Sequence, residues 1–228
     1  MVIIAGVDEA GRGAVIGPLV IAGVSIDTAK ERELAQTGAK DSKELSPKQR
    51  AAIYKKIEAV AKDIVILKID ACKIETYRKE GINLNQLEAM KFAEIVKLLQ
   101  PDQAYADAPD VDASRFARVV GKLVGQPMEI TAEHKADAKY KVVGAASVIA
   151  KVERDRAIEQ LKKRYGDFGP GYPSNPITMA WLRDWYAKHH SFPDIVRESW
   201  ATIADIKRES GQSKLQAFLG KLKADKPC

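Results

Sequence analysis

The chain predicts an α/β layer fold, a central sheet covered by helices on both faces, on three observations. Short apolar or β-branched runs alternate with amphipathic stretches of helical spacing, several of those stretches open on side-chain caps, and carboxylates recur where the apolar runs end. Val2 to Val7 is a continuous apolar run and reads as a strand that ends in Asp8, Glu9, Ala10, Gly11, Arg12 and Gly13. Val15 to Ile26 is a second apolar stretch, interrupted by Gly17 and Pro18. After a polar loop at Lys40 to Lys43, Ser46, Pro47 and Gln49 supply an N-cap, a first-turn proline and a capping-box partner for a helix to about Ala61. Ile64 to Ile69 is rich in β-branched residues and predicts a strand, and Asn83 to Leu99 has helical periodicity closed by Pro101. Gln103 to Ala106 is a short strand ending in Asp107, and Asp112 caps a helix to about Val124. Met128 to Ala132 is a further strand, leading to Glu133, His134, Lys135, Ala136 and Asp137. A long helix follows from Tyr140 to about Tyr165, with the small residues Gly144, Ala145, Ala146 and Ser147 early in it for close approach to the sheet. The glycine- and proline-rich segment Gly166 to Pro176 surrounds Tyr172 and predicts a stiff, compact loop. Ile177 to Lys188 is a helix whose Trp181 and Trp185, with Trp200 beyond, read as core positions, and helix resumes after Pro193 to Ile206.

At 228 residues, 46% apolar and 30% charged, the composition is that of a globular chain rather than a disordered or membrane one. The expected organisation is a main domain over residues 1–195 and a helical extension with a polar, lysine-rich tail over residues 196–228. The longest apolar runs, Ala14 to Val24 and Val142 to Ala150, are too short to span a bilayer, and no basic region precedes the first strand. Cys72 and Cys228 form neither a disulfide framework nor a metal-ligand spacing, so a cytoplasmic, membrane-free setting is expected. The net charge of +6 favours an anionic partner, with nucleic acid the commonest. The basic stretches are Lys48 to Lys56, Lys135 to Lys151, Arg154 to Arg164 and the tail from Lys214.

Asp8, Glu9, Asp107 and Asp137 come from three segments, all at or just after strand ends, where functional crevices of open α/β sheets lie. A carboxylate there carries a desolvation cost that a cation, a proton or several hydrogen bonds must offset. Each acid alone also fits a helix cap or a solvated turn. Together they suit hard divalent cations with oxygen ligands, and two such ions about 4 Å apart serve phosphodiester cleavage. His134, His189 and His190 give no zinc-type cluster. Gly-Arg-Gly adds exposed backbone amides and a planar guanidinium suited to phosphate.

Gly6 to Gly13, with Gly17 and Pro18, resembles the opening motif of the ribonuclease HII family. Lys40 to Leu45 resembles its Asp-Ser-Lys loop, Tyr105 to Asp112 its third-acid segment, His134 to Asp137 its fourth, and Ser147 to Asp155 the helix motif that follows. Gly171 to Ser174 and the Val196, Arg197, Ser199, Trp200 neighbourhood are most similar to the archaeal type, while Pro170 and Asn175 depart from the family pattern. The resemblance implies a ribonuclease H-like fold with a central mixed sheet. It implies endonucleolytic cleavage of RNA paired to DNA, including 5' of single ribonucleotides in duplex DNA. Two Mg²⁺ or Mn²⁺ ions would be held by Asp8, Glu9, Asp107 and Asp137, and the products would be 5'-phosphate and 3'-OH ends. Gly11, Arg12 and Gly13 match the loop that meets the 2'-OH and its phosphate, and Tyr172 matches the tyrosine that packs on the junction sugar. Lys43, Lys135, Ser147, Lys151 and Arg154 are further expected substrate contacts, and a monomer is expected.

Gln212, Leu215, Phe218 and Leu219 resemble the short peptide by which replication and repair enzymes dock on the DNA sliding clamp; a terminal helix turn reads equally well. Two alternatives stay open from sequence: a structure-specific DNA nuclease on a related fold, and a non-catalytic nucleic-acid or clamp-binding module.

Overall fold

The computed structural model describes residues 2–39 and 45–211. Five strands, β1 (Ile3–Ala10), β2 (Leu19–Asp27), β3 (Asp63–Ile69), β4 (Gln103–Asp107) and β5 (Glu129–Glu133), form one mixed sheet in the order β3-β2-β1-β4-β5. β1, β4 and β5 run parallel, whereas β2 is antiparallel to both β1 and β3. The helices are α1 (Glu31–Gln36), α2 (Pro47–Val60), α3 (Ala71–Lys79), α4 (Leu84–Leu99), α5 (Ala113–Val124), α6 (Ala136–Lys139), α7 (Lys141–Tyr165) and α8 (Pro176–His189), with α9 over residues 201–211. None of the described helices is long and apolar enough to cross a membrane.

Strand alternation divides the core in two. Ile4, Val20, Ala22 and Val24 face α1, α2 and α7, while Ala5, Val7, Leu19, Ile21, Ala104 and Ala106 face α4 and α5. Gly6 lets α7 lie against the sheet: a Cβ there would stand 2.3 Å from the carbonyl carbon of Val142. Gly144 of α7 is equally constrained, since its Cβ would meet the carbonyl oxygens of Ala39 and Asp137 at 2.9 Å each. A third cluster joins Val15, Ile16, Phe168, Leu182, Ile195 and Ile203. It packs the tyrosine loop, α8 and α9 against the segment that links β1 to β2.

The expected caps form as read. Ser46 accepts from the Gln49 amide while Gln49 accepts from the Ser46 amide, and Asn83 and Gln86 do the same for α4. Asp112 caps α5. The structure differs at three places. Asp8 and Glu9 lie inside β1, in register with Ala22 and Ile21 of β2, rather than after it. The short α1, α3 and α6 add to the expected helices, their apolar faces being too narrow to give a periodic signal. Trp181, Trp185 and Trp200 are half-buried: Trp185 stacks on Trp181 at 4.9 Å between ring centres, forming an outer layer over the third cluster rather than its centre.

Candidate active site

β4 ends beside the last residues of β1. Their parallel register runs to Val7 opposite Ala106, so Asp107, the last residue of β4, follows alongside Asp8 within β1, both on the α7 face by alternation from Gly6 and Tyr105. Glu9, the next residue, turns to the opposite face, towards Arg12 and Glu88 of α4. Asp8 is 5% exposed, and its Oδ1 accepts from the Glu9 amide at 2.7 Å. Ser147 of α7 hydrogen-bonds the same carboxylate and in turn accepts from Lys151 Nζ at 3.0 Å.

Burial pushes the Asp8 carboxyl up to about 7, with Asp107 adding repulsion while Ser147, the Glu9 amide and Lys151 pull the other way. Glu9 is held well above the ordinary range, first by burial and then by its repulsion from Asp8, Glu88 and Asp107. Its Oε2 is buried and finds no hydrogen-bond partner among the described residues. A negative cluster with an orphaned oxygen is what a cation would satisfy, and the donor set, carboxylates alone, suits Mg²⁺ or Mn²⁺. The acids do not form a ready cage: among the described residues no three His, Cys, Asp or Glu side chains stand in position around one point.

The fourth acid arrives through an unusual backbone. Lys135 is left-handed at φ 59°, a conformation a lysine rarely adopts, and this turns the Ala136 amide onto Asp107 Oδ1 at 2.9 Å. Asp137 thus enters the first turn of α6 beside Asp107, half-buried, and Lys135 itself is exposed.

Beyond Ala10 the chain makes a turn closed by the Ala14 amide on the Gly11 carbonyl at 3.2 Å. Gly11 has φ 87°, and a Cβ there would lie 2.3 Å from Arg154 Nε and 2.7 Å from the Pro18 carbonyl oxygen. Among the described residues nothing lies within 4 Å of the Cβ position of Gly13, which is exposed, so its bareness serves no packing there. The tyrosine loop is tied to the same turn: the Val15 and Ile16 amides both donate to the Gly171 carbonyl, at 2.8 and 3.1 Å. Asn175, a departure from the family pattern, caps α8 by accepting from the Ile177 and Thr178 amides, and its own amide donates to the Tyr172 carbonyl.

Two of the expected substrate contacts are buried in the protein. Arg154 is only 4% exposed; its Nη2 donates to the Pro170 carbonyl at 2.9 Å and its guanidinium lies 4.6 Å from the Tyr172 ring centre. Wedged between Gly11 and Tyr172, it supports both loops from below. Ser147 is fully buried on Asp8. Arg12 faces Glu9 and Lys151 reaches the Ser147–Asp8 pair, while Gly11 and Gly13 follow β1, Tyr172 lies over Arg154, and Lys135 precedes the Ala136 amide that meets Asp107. Lys43, and Gln212, Leu215, Phe218 and Leu219, lie outside the described residues.

Sequence reasoning gave no place in the site to two residues, one of them, Arg197, quoted only as part of a motif. Arg197 is fully buried, donates through Nε and Nη2 to the Gly17 carbonyl at 3.1 and 3.0 Å, and through Nη1 to the Arg12 carbonyl at 2.9 Å. Glu88 is fully buried on α4 and accepts from Arg12 Nε at 3.0 Å. A charged residue in the apolar stripe of a helix is the signal that could have found Glu88.

A mixed sheet of this order, with acids at the ends of its central parallel strands and a basic glycine turn beside them, defines a ribonuclease H-like nuclease. The ribonuclease HII family model matches residues 5–203, and the chain belongs to that family of metal-dependent ribonuclease H endonucleases. It is 48% identical to the ribonuclease HII of Pyrococcus furiosus over 220 residues, covering 96% of this chain and 97% of that one. The crystal structure of ribonuclease H2 from Pyrococcus horikoshii superposes with a TM-score of 0.85 at 44% identity, covering 91% of this chain and 98% of that one. The Archaeoglobus fulgidus ribonuclease HII, solved as a complex with PCNA, gives a TM-score of 0.83 at 42% identity, covering 90% and 96%.

Proposed function

We propose that this enzyme cleaves the RNA strand of RNA/DNA hybrids and cuts 5' of single ribonucleotides embedded in duplex DNA, using two Mg²⁺ or Mn²⁺ ions and leaving 5'-phosphate and 3'-OH ends. The observation that supports the reading is the juxtaposition of Asp8 within β1 and Asp107 at the end of β4, with the Gly11–Gly13 turn following β1 and the Tyr172 loop bonded just after that turn. Asp8, Glu9, Asp107 and Asp137 would hold the ions. When bound, such ions stabilise charge on the phosphate oxygens and lower the pKa of an attacking water.

The chain's own residues do the positioning. Lys151 and Ser147 orient Asp8 from α7, and the Ala136 amide orients Asp107. The open Gly13 backbone lets a sugar approach closely, and a 2'-OH is the one group that tells a ribonucleotide from its DNA neighbours. Arg12 offers planar, charge-assisted bonds to the adjoining phosphate, Lys135, Lys151 and Lys43 add charge along the strand, and Tyr172 packs against the junction sugar. The enzyme works as a monomer. Its tail docks on the sliding clamp through Gln212, Leu215, Phe218 and Leu219, a reading supported by the PCNA complex of the Archaeoglobus relative.

The test is cleavage of a labelled DNA duplex carrying one ribonucleotide, with and without Mg²⁺ or Mn²⁺, beside an all-DNA duplex of the same sequence. Metal-dependent cutting on the 5' side of the ribonucleotide alone is expected. Equal cutting of both duplexes would make the protein a structure-specific DNA nuclease, and binding without any cutting would make it a non-catalytic module.

A further inference from the structure

We infer that Glu88 is a positioning residue for substrate selection: from inside the fold it sets the plane in which Arg12 presents its guanidinium to the ribonucleotide's phosphate. The inference rests on the reading of Arg12 as a substrate contact. Asn85 and Glu88 stand three residues apart on α4, hence on one face of its first two turns. Glu88 Oε2 accepts from Arg12 Nε, and Asn85 Oδ1 accepts from Arg12 Nη2. The Arg12 side chain is 35% exposed and that of Glu88 is 0% exposed. One end of the pair therefore reaches solvent and the other is sealed in the core. Two acceptors on a rigid helix grip a planar cation at two of its three nitrogens, which fixes its plane as a single bond would not. Neither bond uses Nη1. The backbone of the same residue is held separately by Arg197 Nη1 on the Arg12 carbonyl.

A buried carboxylate is a costly way to fill space, and an apolar side chain of similar size would do it better. Glu88 moreover sits on the same side of the sheet as Glu9, which it repels. Its second oxygen, Oε1, is buried and has no hydrogen-bond partner among the described residues. The position carries a penalty that packing does not explain; the compensating interaction of greatest weight is the hydrogen-bonded pair with Arg12, with Arg197 adding a longer-range attraction.

The experiment is a double-mutant cycle on the full chain with Arg12→Ala, Glu88→Ala and the double variant, with Glu88→Gln and Glu88→Met beside them. Two quantities are read: the affinity ratio for the one-ribonucleotide duplex over the all-DNA duplex, by fluorescence anisotropy in EDTA, and kcat and KM in Mg²⁺. Glu88→Ala should lower the affinity ratio about tenfold, the size expected for loss of a hydrogen bond to a charged group, and raise KM more than it lowers kcat. Glu88→Gln keeps an acceptor for Arg12 Nε and should recover most of the ratio, while Glu88→Met, which fills the site without accepting, should not. In the Arg12→Ala background the Glu88 change should add nothing. If Glu88→Ala fails to fold, the Gln and Met variants carry the comparison. Additive losses, or equal ratios for Gln and Met, would overturn the proposal and leave Glu88 a structural residue. If Arg12→Ala lowers the ratio and neither Glu88→Ala nor Glu88→Met does, the proposal alone fails. If Arg12→Ala leaves the ratio intact, the underlying reading of Arg12 fails and takes the proposal with it.

Discussion

Replacing Asp8 by Asn should abolish turnover and at the same time make the metal-free protein more stable. Asp8 is 5% exposed, and its carboxyl is displaced from 3.8 to about 7, mainly by burial. A displacement of that size corresponds to at most about 4 kcal/mol of folding stability lost when the group ionises. Because the folded-state pKa lies above the unfolded one, the penalty is absent in acid, grows as pH rises from 3.8 towards about 7, and is complete above that. Asn keeps an acceptor for the Glu9 amide and adds a donor pair that needs accommodation, which reduces the net gain to about 1–3 kcal/mol. For a chain of this length that is a rise of about 3–10 °C in Tm at pH 8 in EDTA. The assay is thermal unfolding of wild type and Asp8→Asn in EDTA at pH 8 and pH 5, then at pH 8 with Mg²⁺ or Mn²⁺. The gap should be widest at pH 8 in EDTA and shrink at pH 5. With metal it should close from the wild-type side, since an ion that binds only the folded state raises the stability of the protein that can hold it. Cleavage of the ribonucleotide duplex should fall at least about 1000-fold, as expected when a pre-organised charge is removed. A variant less stable than wild type at pH 8 without metal would refute the account of Asp8 as an uncompensated buried charge. Retained turnover would refute its place in the site.

Gly11→Ala should cost about 2 kcal/mol or more and cripple cleavage, because its Cβ would enter Arg154 and the Pro18 carbonyl at a left-handed φ; Gly13→Ala should leave Tm within about 1 °C and still weaken selection of the ribonucleotide, and a thermal melt with a competition assay separates the two. Tyr172→Ala should lower kcat/KM on the single-ribonucleotide duplex about tenfold or more while Tyr172→Phe retains most of it, since the ring stacks on Arg154 and, on the proposed reading, packs against the sugar; equal losses for Phe and Ala would point to the hydroxyl instead. Arg197→Met should cost about 3 kcal/mol by removing three hydrogen bonds that tie the Arg12 and Gly17 carbonyls to the core, seen as a lowered denaturation midpoint. Deleting residues 212–219 should lower affinity for the sliding clamp by at least about tenfold and leave cleavage of free oligonucleotides unchanged; loss of both would show the segment to be structural.

Much of this molecule follows from local chemistry. The capping boxes at Ser46 and Asn83, the Asp112 cap, the β-branched run at Ile64 to Ile69 and the small residues early in α7 each act within a few residues of themselves, so the sequence alone determined those elements and the layered α/β class. The order of motifs likewise determined the family, because spacing along the chain survives without knowledge of what touches what. Only the tertiary structure decided which neighbours each charge meets. Strand alternation sends Asp8 towards Ser147 and Lys151 but the next residue, Glu9, towards Arg12 and Glu88, a division that depends on which helix covers each face. Arg154 reads in sequence as one more helix cation, yet close packing of Gly11 and the Tyr172 loop over it makes it a buried support. Glu88 and Arg197 meet Arg12 across 76 and 185 residues of chain. A contact of that range leaves no periodic trace in the sequence, because its energy depends on burial and geometry that exist only once the sheet and its helices have assembled.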